Sequence, residues 1–123
     1  MSGAKQRLGA LGEDEAVRAL NKRGYKVVCR NYRCSRGEID VVAMDGAVYV
    51  FIEVKTRSGD AFGTPASAVD FRKQRHIADV AAYYLNAHNV SIEDVDIRFD
   101  VVSIQLANGK FSTEIIRNAF EAE

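Results

Sequence analysis

Charged and apolar side chains alternate over residues 38–41 and 52–55, and between these ends two apolar runs flank Asp45-Gly46, the dipeptide pattern that most strongly signals a two-residue hairpin turn. A period of two sends alternate side chains to opposite faces, and a turn of known length decides which residues oppose one another. With Asp45 and Gly46 central, Met44 faces Ala47, Asp40 faces Phe51, and Glu38 faces Glu53. Ile39, Val41, Val50, Ile52 and Val54 then form a wholly apolar face, which must be core. Glu38, Asp40, Phe51, Glu53 and Lys55 share the other face, with Asp40 and Glu53 as diagonal neighbours whose side chains can converge.

Other elements fall around this hairpin. Leu8, Leu11, Ala16, Val17, Ala19 and Leu20 recur at helical spacing, so a helix is expected over residues 4–23, capped by Gly24. Glu13 lies on or beside its apolar stripe and needs a partner, because burying a lone carboxylate is costly. A strand from Tyr25 to Tyr32, a loop from Arg33 to Gly37 and a loop from Ser58 to Pro65 flank the hairpin. A second helix is expected over 71–87, with Asp70 as N-cap and Ile77, Val80, Ala81, Tyr84 and Leu85 inward. Arg98–Leu106 and Phe111–Ile116 make a second hairpin about Asn108-Gly109. The order αβββαββ in 123 residues predicts one α/β domain over 1–123, a central mixed sheet flanked by helices.

Composition excludes several classes. Apolar residues at 47% and charged residues at 28% rule out a disordered chain. No apolar run approaches the roughly 20 residues of a membrane span, and Met1–Lys5 lacks a signal peptide's apolar stretch, so a cytoplasmic location with no membrane partner is expected. Cys29 and Cys34 are too few for a disulfide framework or a four-ligand zinc site and read as reduced thiols. Net charge is zero, which argues against coating nucleic acid by bulk charge, yet residues 1–36 hold nine bases against three acids, a local +6.

Carboxylates gathered on one strand face repel, and two remedies exist. Solvent is one, and the face is then simply wet. A hard cation is the other: Mg²⁺ takes one or two carboxylates, keeps several waters and recruits phosphates. Lys55 would then stand beside the ion, where its amine can orient a water or offset charge developing on a phosphate.

Gly37-Glu38-Ile39-Asp40, Phe51-Ile52-Glu53-Val54-Lys55-Thr56-Arg57 and Phe62-Gly63-Thr64-Pro65, with Gly12-Glu13-x-x-Ala16 and Arg98-Phe99-Asp100-Val101-Val102, resemble the YraN-like family of small bacterial proteins. That resemblance covers about residues 8–106. The motifs in turn resemble the PD-(D/E)XK, or restriction-endonuclease-like, superfamily, archaeal Holliday-junction resolvases in particular. This implies a restriction-endonuclease-like fold and Mg²⁺ or Mn²⁺ as cofactor. It implies Asp40, Glu53 and Glu13 as metal ligands, and Lys55 beside them as the catalytic lysine. Ile39 stands where the superfamily name has Pro, and Ser67 where the YraN-like pattern usually has Glu.

Arg57, Arg72, Lys73 and Arg75 flank this cluster and are candidate phosphate contacts. The five tyrosines read as packing residues, and His76 and His88 have no metal-ligand spacing. Asp100 reads as an ion-pair partner of Arg98 or a lysine. The expected function is metal-dependent hydrolysis of phosphodiester bonds in DNA, branched DNA included, by a chain that can form a homodimer. The alternative is a non-catalytic nucleic-acid- or protein-binding module that keeps the nuclease fold.

Overall fold

The computed structural model describes residues 2–59 and 69–121. In chain order the elements are α1 (Ser2–Lys22), β1 (Lys26–Cys34), β2 (Gly37–Asp45), β3 (Val48–Ser58), α2 (Phe71–Ala87), a 3₁₀ turn (Ile92–Asp94), β4 (Ile97–Ala107) and β5 (Lys110–Phe120). The strands form one sheet in the order β1-β2-β3-β4-β5. Only β3 and β4 run parallel, because α2 carries the chain back across the sheet between them. This is the α/β domain expected, with helices on both faces, and it is consistent with a restriction-endonuclease-like fold. Among the described residues no helix is long and apolar enough to cross a membrane.

Each helix covers its own core. Ala16 and Leu20 of α1 pack on Val41, Ala43, Val50, Ile52, Val102 and Ile104. On the opposite face Ile77, Val80, Ala81, Tyr84 and Leu85 of α2 pack on Val42, Phe51, Phe99 and Val101. Asp70 caps α2 by accepting the Lys73 N–H at 2.9 Å. Gly24, at φ 89°, closes α1, with the Tyr25 N–H returning to the Leu20 carbonyl at 3.0 Å.

Two sequence expectations need correction. The β2–β3 turn sits on Gly46-Ala47, one residue later than expected, with Asp45 paired to Val48 and Val42 to Phe51. Gly46 alone takes a positive φ there (61°), which suits a turn with glycine first, and Asp45 is drawn off to Arg98 and Arg117 instead. The register therefore moves by two residues. An even shift by itself exchanges no faces but carries Asp40 from diagonal to directly across from Glu53, beyond the last pair, Val41–Ile52. Ile39 is the second correction: it packs in the core under α2, not beside Val41 under α1. The backbone of β1 is irregular here, with Asn31 at φ 53° between the pairs Arg30–Val41 and Tyr32–Ile39.

Boundaries differ more mildly. β1 runs on to Cys34, so the expected loop from Arg33 is a tight turn at Ser35-Arg36, and β5 continues past Ile116 to Phe120. Most of the Ser58–Pro65 loop, with Phe62–Pro65 and Ser67, lies outside the described residues.

α1 approaches β3 closely at Gly12, where an added Cβ would overlap the Thr56 side chain, whose Cβ lies 2.9 Å away. Gly12→Ala should therefore destabilise the protein by about 1–3 kcal/mol, the usual cost of overpacking, while Gly9→Ala, with open space around it, should not. Urea denaturation of the two variants checks this. Equal midpoints would show that α1 does not rest on Thr56.

Candidate functional site

Among the described residues, only two charged side chains are buried: Asp100 (0% exposed) and Glu53 (6%). Their surroundings differ. Asp100 accepts from the Tyr25 hydroxyl (2.7 Å), from Arg98 Nε and Nη2 (2.9 and 3.0 Å) and from the Asn118 backbone N–H (2.8 Å). Arg98 in turn bonds Asp45 at 2.9 Å. Every lone pair is used and the charge is matched, so Asp100 clasps the sheet. Arg98 is the partner the sequence suggested.

Glu53 has a different neighbourhood. Asp40 lies across from it where β2 leaves β3, and Asp40 Oδ2 accepts the Val54 backbone N–H at 2.8 Å, on the side where β2 would otherwise supply a carbonyl. The side chain thus replaces the ladder and leaves two carboxyl groups facing each other. Burial first, then the charge of Glu53, pushes the Asp40 carboxyl up to about 7, with the Val54 N–H acting the other way. Lys55 Nζ lies 3.5 Å from Glu53 Oε2.

Lys73 is closer still. Its Nζ is 2.7 Å from the same oxygen, so in the structure this lysine, also a candidate phosphate contact, turns toward the carboxylates. Burial alone would lower its amine, but the hydrogen bond to Glu53 and the charges of Glu53 and Asp40 outweigh that and hold it above an ordinary lysine. Sequence reasoning placed Lys73 only on a basic helix end. Its position four residues before Ile77, on the inward stripe of α2, is the signal that could have found it.

Glu13 is held from the other face. Asn31 Nδ2 donates to its Oε1 at 2.9 Å, and Arg30 Nη2 approaches the same atom at 3.3 Å and Asp14 at 2.7 Å. These are the partners that an acid on the α1 stripe requires. Glu13 still adds a small upward push on Asp40, behind burial and Glu53. Among the described residues no three His, Cys, Asp or Glu side chains converge as a metal cage. Arg57 is half-buried on β3. Arg72 and Arg75 are exposed and line an open groove on α2 with Phe71, His76 and Asp79.

The profile of the uncharacterised protein family UPF0102 matches residues 12–104. The chain is 43% identical over 115 residues to a UPF0102 protein of Alkaliphilus oremlandii, a span of 94% of this chain and 98% of that protein. It is 43% identical over 118 residues to one of Symbiobacterium thermophilum (95% and 98%) and 46% identical over 107 residues to one of Nocardia farcinica (87% and 83%).

The raised Asp40 carboxyl has a consequence for stability. Between an ordinary aspartate's value of about 4 and about 7, the folded chain holds this proton more tightly than the unfolded chain. Its contribution is therefore full at the acid end, declines as pH rises through that window and is flat above it. Asp40→Asn removes the decline while keeping an oxygen for the Val54 N–H. In urea melts without divalent ions, the variant should gain on the parent as pH rises and level off beyond about 7. A difference that does not vary with pH would mean that burial and Glu53 do not raise the Asp40 carboxyl.

Proposed function

The chain belongs to the uncharacterised protein family UPF0102, the YraN-like family to which its motifs pointed, and from that premise we propose that it is a divalent-metal-dependent nuclease acting on DNA. The observation that carries this reading is the pairing of Asp40 and Glu53 at the point where β2 parts from β3, with the Lys55 amine beside them. A protein that needed only a stable sheet would gain nothing from two facing carboxyl groups there.

The donor set suits Mg²⁺ or Mn²⁺. Both oxygen donors are hard, and an ion that keeps several waters needs no more than one or two carboxylates from the protein. Zinc is a poor match, since its sites draw three or four ligands from the chain. Asp40 and Glu53 would hold the ion, and Glu13 would reach it through water, its own oxygen being tied to Asn31 and Arg30. When bound, the ion supplies a Lewis acid for a phosphodiester and offsets its negative charge.

The remaining work falls to the chain. Lys55 would orient the attacking water and meet charge that builds on the phosphate, at a position already electrostatically prepared by Glu53. Arg57, Arg72 and Arg75 would contact flanking phosphates, which position the strand without reading its sequence. Zero net charge leaves only such a local patch for binding, so plain duplex should be held weakly. A symmetric branched substrate would suit two copies of the chain.

One observation favours the second reading, a binding module without catalysis: among the described residues the cluster offers two converging carboxylates, not three. A cleavage assay on linear, flapped and four-way DNA with Mg²⁺ or Mn²⁺ separates the two. The nuclease reading expects metal-dependent cleavage by the parent and a loss of about 100-fold or more in Asp40→Ala. It also expects Arg72→Ala/Arg75→Ala to weaken DNA binding without abolishing cleavage at saturating DNA. Binding with no cleavage of any substrate would make the chain a module.

A further inference from the structure

Lys73 differs from the other cations at this end of the molecule. Its backbone N–H is fixed by the Asp70 cap, and its side chain leaves the first turn of α2 toward the sheet, four residues before the buried Ile77. The ammonium ends 2.7 Å from Glu53 Oε2, closer than Lys55 at 3.5 Å. Among the described residues it is thus the nearest positive charge to the carboxylate proposed to receive the ion. Unlike Arg98, whose side chain is 14% exposed and shared among three partners, Lys73 is 45% exposed. The Asp100 clasp is locked; this contact can open.

We propose that Lys73 is a tethered counter-cation: its ammonium occupies Glu53 when no divalent ion is bound, yields that oxygen to the ion, and passes to the phosphate backbone lying along α2. The inference rests on the metal-dependent reading above and adds a positioning role. An ammonium and a divalent ion compete for one carboxylate, because like charges at contact distance repel strongly in a partly buried setting. Displaced from Glu53, the ammonium needs an anion, and the exposed Arg72 and Arg75 of the same helix line the groove where phosphates would run. Ion and nucleic acid then favour each other reciprocally, because each removes the ammonium's reason to stay where the other needs it gone. Lys73 would act as a latch that discourages the ion until an anionic strand is present.

The test is calorimetric titration of the full chain with Mn²⁺ alone, followed by four-way DNA binding with and without Ca²⁺. Lys73→Met keeps the aliphatic stem and should bind Mn²⁺ about five- to ten-fold more tightly than the parent, through loss of a like charge at contact range. Lys73→Arg, which restores a cation, should return to near the parental affinity, and Arg72→Met, a loss of charge on the exposed face, should change little. Ca²⁺ should tighten DNA binding by the parent more than by Lys73→Met. Equal or weaker Mn²⁺ binding by Lys73→Met, or an undiminished Ca²⁺ effect, overturns the latch while leaving the metal site standing. A parent that takes up no Mn²⁺ overturns the metal-dependent reading, and the latch falls with it. Thermal melts confirm that each variant is folded before titration.

Discussion

The Val54 amide gives its hydrogen to the Asp40 carboxylate on the side where a strand carbonyl would otherwise receive it. Much else depends on that exchange. Up to Val41–Ile52 the two strands are an ordinary antiparallel ladder, and beyond it a side chain does the work of a backbone. Near this break Ile39 packs in the core under α2 and Asn31 adopts φ 53°. The same exchange sets Asp40 against Glu53, where burial is deep enough for their charges to interact strongly.

A comparison within the molecule shows why this pair reads as a site. Asp100 also accepts a backbone N–H from an asparagine-bearing irregularity in the neighbouring strand, at Asn118, with φ 51°. Arg98 and Tyr25 then complete its shell, and nothing is left over for a ligand. Both aspartates interrupt a ladder in similar ways. One faces an arginine and strengthens the fold, while the other faces a second carboxylate and raises its own proton affinity. Local geometry alone would not separate them; the charge beside each carboxylate does.

Much of this was legible in the residues. Alternation along Val41–Asp45 and Val48–Val54 assigned both faces correctly even though the turn lies on Gly46-Ala47, because an even register shift cannot exchange faces. The spacing of Ile77, Val80, Ala81, Tyr84 and Leu85 located α2, and Asp70 located its start. Glu13 on the α1 stripe signalled a polar partner, which proved to be Asn31 with Arg30. What escaped was set by contacts distant in sequence. Asp45 leaves the turn for Arg98 and Arg117, more than fifty residues away, and no local pattern records that competition. Lys73 joins Glu53 only because α2 packs back on the sheet, a tertiary choice that a surface-looking Arg-Lys-Gln-Arg run conceals.

The central claim is that Asp40 and Glu53 form a divalent-cation site that the fold assembles by breaking one strand pairing. Anomalous diffraction from crystals of the full chain soaked in Mn²⁺ tests it most directly. The account predicts a peak between the two residues, about 2.0–2.2 Å from one carboxylate oxygen of each, with waters completing the shell. A crystal whose Mn²⁺ peaks lie only elsewhere, or one in which Asp40 and Glu53 keep their places around an empty centre, would contradict it.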